Sequence, residues 1–381
     1  LDLRTGAHRK LLDDALAGQV LPDGRLLYVQ RDGTALVAPF DADRLELTGA
    51  GVAVLEQLNV NVQSAVAISR SGTIAYLRGV GAAGDVQPVR VARDGAATPI
   101  DSAWTGAFSA LAVSPDGRRL AVGAGRAQGS LSVWIRELPA GPFTRLTFGG
   151  YDRRPVWSRD GRTVAFVRDT VNGGSIWARP VDGSRDAYRL TPPGLWAQEA
   201  DWSPDGRWLV VRTDNGGPTR GDIVGIRVGG DTTPVPLVVT PFAEQHPAVS
   251  PDGRWLAYTS DESGVNEVFV RPFPETQSAR WQISTGRGSQ PRWSPDGSRL
   301  YYGEPPGRIV EAVLRTDGGL AVVGRRTLFA ATAFFVDPYH QTYDVWPGDS
   351  GFVFLRNGGT GRAHLVMAEH WFTELDARTR R

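Results

Sequence analysis

The chain alternates strand-sized apolar runs with polar turns, and one turn recurs. Ser-Pro-Asp-Gly stands at 114–117, 203–206, 250–253 and 294–297, with Leu-Pro-Asp-Gly at 21–24, Ser-Arg-Asp-Gly at 158–161, Ser-Arg-Ser-Gly at 69–72 and a longer Trp-Pro-Gly-Asp-Ser-Gly at 346–351. The residues before the closing glycines fall at 23, 71, 116, 160, 205, 252, 296 and 350, a step of 44 to 48 residues until the last one of 54. In this turn proline presets φ, aspartate bonds nearby backbone N–H groups and glycine takes the positive φ of a tight reversal. Each turn joins two apolar runs, so it predicts a hairpin. A third strand follows after a Gly/Asp/Asn-rich loop, as in 131–137, 175–179 and 267–271, and then a short fourth, as in 145–147, 189–191 and 281–284.

Four strands per unit, with no convincing amphipathic helix, predict an all-β fold, a β-propeller of four-stranded antiparallel blades. A blade has two apolar faces and buries them only against neighbouring blades, so the array must close into a ring. Eight anchors imply eight blades in a single domain spanning residues 1–381, with seven as the alternative. The last unit offers strands near 343–346, 351–355 and 364–371 but no fourth. Pairing of the chain ends, with residues 7–12 as the missing strand, is the expected closure.

Composition narrows the function classes. Hydrophobic residues make up 41% and charged residues 22%, enough apolar material for a core. Basic and acidic residues number 42 and 41, so no global field draws in nucleic acid or an anionic membrane. Lys10 is the only lysine, an arginine bias read as G+C-rich coding. The absence of cysteine excludes disulfides and thiolate chemistry. No apolar run is long enough to span a bilayer. Leu1 follows no leader pattern, and the sequence reads as an excised piece whose membrane anchor, if there is one, lies outside it.

The repeats SPDGRRLAV, SPDGRWLVV, SPDGRWLAY and SPDGSRLYY resemble those of TolB-like (WD-like) propellers over essentially the whole chain. The opening LDLRTGAHRKLL, the segments LPDGRLLYV and VAPFDADRLELTG, and the closing HLVMAEHWFTEL are similar to the C-terminal propellers of bacterial receptor-type serine/threonine protein kinases. That resemblance implies a non-catalytic sensor or interaction domain on the periplasmic or extracellular side of a bacterial membrane. No Gly-rich kinase loop, HRD or DFG segment is present, so any kinase activity belongs to other sequence.

In such a ring the innermost strands line a channel, with the repeated turns at one end and the interblade links at the other. Polar residues entering the innermost strands at the link end are Gln63, Arg154, Glu199, His246, Gln290 and Gln341. The links add Trp104, Trp196, Phe242 and Tyr339, with Tyr151 and Phe334 beside them. Polar groups ringed by aromatic platforms suit a protein, peptide or glycan ligand. Hydration of a channel and wedging between blades are the simpler roles for the same residues.

The competing class is an enzyme at the channel mouth, a polysaccharide lyase or a hydrolase, and a periplasmic TolB-like scaffold is a further alternative. Gln245, His246, His340 and Gln341 invite comparison with a metal site, but two histidines are too few, and neither metal nor cofactor is expected. The acidic loop 261–267 lacks a full calcium ladder. Gly348-Asp349-Ser350-Gly351 mimics a serine-protease segment, but it occupies the register of the eighth turn, which accounts for it without catalysis.

Overall fold

A computed structural model describes residues 11–12, 15–30, 34–56, 58, 66–78, 86–125, 131–170, 173–214, 221–334, 337, 339–357 and 364–379. The repeated turn, its glycine N–H bonded to the carbonyl three residues back, forms at the first seven anchors. The eighth is a 3-10 turn, Pro347–Asp349, closed by the Asp349 N–H on Trp346 O. The closing glycines Gly24, Gly72, Gly117, Gly161, Gly206, Gly253, Gly297 and Gly351 all have positive φ, between 66° and 140°, where a Cβ would be strained. Around them the side chains act as the sequence predicts. Asp116 Oδ1 accepts the Arg118 N–H at 3.0 Å, while Ser114 Oγ donates to that carboxylate at 2.6 Å and accepts the Arg119 N–H at 2.9 Å. The same triangle recurs at Ser158–Asp160, Ser203–Asp205, Ser250–Asp252 and Ser294–Asp296. Each turn thereby satisfies its own backbone donors, which lets it sit at a strand end without help from neighbours.

The chain divides into two compact units. The larger comprises 85–125 and 130–358, and the smaller 1–84, 126–129 and 359–381. Within the larger unit six four-stranded antiparallel sheets follow one another. The first blade is Phe108–Val113, Arg119–Ala124, Ser132–Glu137 and Phe143–Arg145; the second is Tyr151–Trp157, Thr163–Thr170, Gly173–Pro180 and Tyr188–Arg189. The third is Ala197–Trp202, Trp208–Thr213, Asp222–Arg227 and Val235–Val238, and the fourth Glu244–Val249, Trp255–Ser260, Glu267–Pro272 and Trp281–Gln282. The fifth is Ser289–Trp293, Arg299–Glu304, Arg308–Arg315 and Ala321–Ala330.

The sixth blade runs Tyr343–Val345, Phe352–Asn357, Val86–Val91 and Ala97–Pro99. Its first strand contacts those of the fifth and the first blades, so the sequence of six closes on itself. Closure therefore pairs an early segment with a late one, as expected, but with different partners and a different count. Phe352↔Val91 through Asn357↔Val86 supply the seam, and His364–Ala368 pairs with Ile74–Arg78 instead. Residues 7–10 of the expected closing strand lie outside the described residues. The reason is chemical: the turns at 21–24 and 69–72 carry the same local chemistry as the others, and nothing local says that they belong to the other unit.

Apolar faces between blades form the cores. One joins Val268, Val270 and Ile283 of the fourth blade to Leu300, Val310 and Ala312 of the fifth. At the seam Tyr343 stacks on Phe354 with ring centroids 5.2 Å apart, and Phe354 stacks on Phe334 at 4.5 Å. Phe334 is thus a core residue rather than part of a mouth. Tryptophan indoles also staple neighbours, Trp157 Nε1 donating to Ala112 O and Trp293 Nε1 to Ala248 O, both at 3.0 Å.

In the smaller unit a four-stranded sheet consists of Ala15–Val20, Leu26–Gln30, Ala35–Ala38 and Val52–Leu55. Val66–Ile68, Ile74–Arg78 and His364–Ala368 make a three-stranded sheet, and Phe40–Asp41 pairs with Glu46–Leu47. The expected strand 364–371 stops at Ala368, and an α-helix, Trp371–Thr379, follows. Trp371 and Leu375, one turn apart, bury beside Leu27, Val37 and Ile74. A single pair at this spacing is too short a period to announce a helix in the sequence.

Candidate functional site

The innermost strands of the second, fourth and fifth blades share a local feature. Arg154, His246 and Gln290 have φ of 54°, 53° and 58°, and each precedes a proline, Pro155, Pro247 or Pro291. The pairing register slips at all three places, between Arg153 and Val156, Gln245 and Ala248, and Ser289 and Arg292. Proline removes a ladder donor, so the strand bulges there and re-aims the preceding side chain. Left-handed φ at three non-glycine residues is local strain held by surrounding contacts.

Those contacts run from blade to blade. Glu199 Oε2 accepts the His246 N–H at 3.2 Å, Thr259 Oγ1 accepts the Gln290 N–H at 3.2 Å, and Gln290 Oε1 accepts the Thr342 N–H at 3.0 Å. An acceptor on one blade thus takes the bulge or strand-entry donor of the next. Arg154 extends the belt by donating from Nη1 to Gln198 O at 2.9 Å. Arg154, Glu199, His246 and Gln341 converge on a cavity of about 40 Å³ inside the channel.

The link between the fifth and sixth blades is fastened over this level. Gln290 Nε2 donates to Asp337 O at 2.8 Å, Arg212 Nη1 to Tyr339 O at 2.6 Å, and the Gln341 N–H to Glu199 Oε1 at 2.9 Å. Glu199 and Arg212 belong to the third blade, opposite the sixth in a ring of six, so the link reaches across the channel. The expected ring residues Glu199, Gln290 and Gln341 therefore already hold one another and this link.

Electrostatics at Glu199 are dominated by opposed effects. Burial alone would raise its carboxyl, but the electrostatic pull of His246, which acts only once that imidazole protonates in acid, and of His340 and Arg212 outweighs it and holds the group well below the usual range. His340 Nδ1 lies 3.6 Å and Arg212 Nη1 3.9 Å from the carboxylate. His246 is 2% exposed, and burial drives its imidazole down to about 4 despite the pull of Glu199. It is neutral at pH 7, with Nδ1 3.2 Å from Thr259 Oγ1 and no hydrogen-bond partner at Nε2. Nearby, Glu244 is pushed up to about 7, first by burial and then by the charge of Asp222, against hydrogen bonds from Thr240 and Ser260.

The aromatic expectations divide. Trp196, Phe242 and Tyr339 are exposed, at 43%, 40% and 61%, on three different links, and Tyr151 is exposed beside them. Trp104 is not at the mouth. It is buried edge-on against Phe108 and Phe143 with the Arg136 guanidinium over its ring, because an aromatic in a link wedges between strands whenever a pocket is available. Gln63 lies outside the described residues. Gln245 and His340 each keep a buried polar atom without a hydrogen-bond partner, but no cluster of three His, Cys, Asp or Glu suited to a metal occurs among the described residues.

The Gly348–Gly351 turn has a structural explanation. Asp349 accepts from Arg93 at 2.9 Å, Arg299 at 3.0 Å and the Tyr301 hydroxyl at 2.6 Å, while Ser350 Oγ accepts from Arg90 at 2.8 Å. Arg93 also pairs with Glu311, so the segment ties the seam of the sixth blade to the fifth. The sequence held no signal for this clamp beyond the register of the turn.

The putative TolB of Agrobacterium tumefaciens superposes with a TM-score of 0.55 at 18% identity, covering 73% of this chain and 99% of that one. The fold is that of a TolB-like β-propeller. TolB of Acinetobacter baumannii follows with a TM-score of 0.49 at 17% identity, covering 80% and 79% of the two chains. Hydrazine synthase of Kuenenia stuttgartiensis has a TM-score of 0.48 at 16% identity, covering 96% and 98%. No protein-family model and no curated protein sequence matches the chain. No helix among the described residues is long and apolar enough to cross a membrane.

Proposed function

We propose that the propeller is a recognition module that binds a protein or peptide at the link end of its channel, without catalysis of its own. The observation that carries this reading is the set of exposed aromatics, Trp196, Phe242 and Tyr339, one on each of three links around the Glu199-centred belt. Large aromatic side chains held at the surface by a rigid ring are the groups that anchor partners at low entropic cost. The belt fixes the backbone beneath them, which favours a preformed surface over an adaptive one.

The test is selection of binders from a library of displayed peptides with blocked C-termini, followed by rebinding to Trp196→Ala, Phe242→Ala and Tyr339→Ala. Each change is expected to weaken binding at least about fivefold, roughly 1 kcal/mol, with the thermal melt unchanged. Binders that tolerate all three but fail after changes beside the repeated turns would sink the proposal.

The finer reading is an extracytoplasmic sensor of a bacterial serine/threonine kinase. It rests on the terminal segments quoted above, of which 364–375 forms the last strand and the start of the helix. The coding sequence upstream of Leu1 decides it: a kinase domain followed by a membrane-spanning helix is expected. A secretion leader directly before Leu1 would favour a periplasmic scaffold.

A further inference from the structure

A second space in the channel lies at the end opposite the link-end belt. A cavity of about 270 Å³ opens among the repeated turns, and all six blades contribute to its wall, from Val113 in the first to Val345 in the sixth. Its size stands near the lower end of small-molecule sites. Pro115, Pro251, Pro295 and Pro347 form much of its rim, with Val113, Val156, Val249 and Val345 deeper in. The wall is therefore largely apolar and shaped by rigid residues.

Four charged side chains reach this space, and their hydrogen bonds sort them. Asp201 is committed to the backbone, accepting the Trp202 N–H at 2.9 Å and the Val249 N–H at 2.8 Å. Asp344 is committed in the same way, to Val345 at 2.9 Å and Val113 at 3.0 Å. These two carboxylates staple adjacent blades, each oxygen taking one backbone donor. Burial also raises the Asp344 carboxyl, against the charge of Arg292 and its two backbone donors.

The two arginines differ. Arg292, with its side chain 23% exposed, makes no hydrogen bond among the described residues, and Asp344 stands 3.7 Å from its Nε, beyond hydrogen-bond reach. It lines both the large cavity and the smaller one behind it. Arg159 occupies the turn position that is proline in the other five turns of the ring, Pro115, Pro204, Pro251, Pro295 and Pro347. From the second blade its Nη2 reaches Val249 O of the fourth at 3.1 Å, so a guanidinium crosses a rim that Pro115, Pro251, Pro295 and Pro347 otherwise form. A guanidinium offers five donors in a planar fork matched to a carboxylate; here the Arg292 fork, paired with Asp344 only at 3.7 Å and without a hydrogen bond, stands at the cavity floor, and the Arg159 fork, with one donor on Val249 O, stands at its rim.

We infer that this cavity binds a small monocarboxylate with an apolar body, its carboxylate between Arg292 and Arg159 and its hydrocarbon against the prolines and valines. The site is separate from the link-end surface and does not depend on it. A free organic acid and the C-terminus of a polypeptide present the same chemistry.

Titration calorimetry on the full chain distinguishes them, using benzoate and hexanoate, their neutral amides, and N-acetylphenylalanine with its amide. The acids are expected to bind and the amides to bind at least about tenfold more weakly, since only the ionised group fills the fork. Arg292→Gln should abolish the preference for acids. Arg159→Pro, which restores the residue of the other five turns and so keeps the fold, should weaken the acids several-fold without affecting the amides. Binding of benzoate and hexanoate identifies free acids as the source, and binding of N-acetylphenylalanine alone identifies a chain terminus. Equal binding of acids and amides, absence of binding by any acid, or acid binding unchanged in Arg159→Pro and Arg292→Gln would each overturn the inference.

Discussion

Glu199 and Gln341 meet from opposite sides of the ring, the carboxylate accepting the glutamine N–H at 2.9 Å. The same carboxylate takes the His246 N–H at 3.2 Å and lies 3.9 Å from Arg212, so one buried group ties the third blade to the fourth and to the crossing link. A carboxylate facing only a ligand would be dispensable for folding. Glu199, 7% exposed, is not.

Glu199→Ala is therefore expected to destabilise the chain. It strands two backbone donors and leaves the buried Arg212 charge unpaired, and breaking a buried pair from one side costs about 3 to 5 kcal/mol. Thermal melts should fall by several degrees. A melt that matches the wild type would show that the link is held by other contacts.

Two buried groups give stability opposite dependences on pH. Glu244 has its folded value raised from 4.5 to about 7, so its contribution is full below 4.5 and is lost as pH rises through 7. His246 has its folded value lowered from 6.5 to about 4, so its contribution is full above 6.5 and is lost as pH falls toward 4. At about 1.4 kcal/mol per unit each amounts to roughly 3 kcal/mol at most, and in the wild type they partly cancel between pH 5 and 7. Glu244→Gln keeps the shape and removes one of the two. It should raise the melting temperature at pH 8 and change it little at pH 5, where the wild-type carboxyl is already neutral. The same shift at both values would mean that Glu244 is not titrating in the folded state.

The turns were legible because their chemistry is local: Ser, Asp and Gly within four residues satisfy one another, as Ser114, Asp116 and Gly117 do. The polar convergence at the link end was legible as well, since Arg154, His246 and Gln290 stand at the same distance before their turns. The bulges that re-aim them had a signal too, the proline after each, whose effect on the ladder is predictable. The seam was not legible. Val86–Val91 pairs with Phe352–Asn357 across most of the chain, and no local pattern specifies which distant strand fills a blade. Nor could sequence tell the buried Trp104 from the exposed Trp196, because both sit in links, and what separates them is the presence of Phe108 and Phe143 around the first.

The seam has its own test. Arg93 joins Tyr301, Asp349 and Glu311 across it, and Glu311 is buried. Arg93→Ala should cost about 1 to 3 kcal/mol, below the value for a fully buried pair because the guanidinium is partly exposed and Arg299 and Arg326 remain beside Glu311. Ser350→Ala, at an exposed hydroxyl of the same turn, should stay within about 0.5 kcal/mol and reveal no peptidase turnover to lose. A larger effect at Ser350 than at Arg93 would reverse the assignment of structural roles in this turn.

The measurement closest to the central claim is amide hydrogen exchange of the chain with and without a peptide selected on it. Recognition at the link end predicts added protection at 195–197, 241–246 and 339–342, where Trp196, Phe242 and Tyr339 meet the belt, with the repeated turns unchanged. Protection confined to the turns at 115–118, 204–207, 251–254 and 295–298 would contradict it.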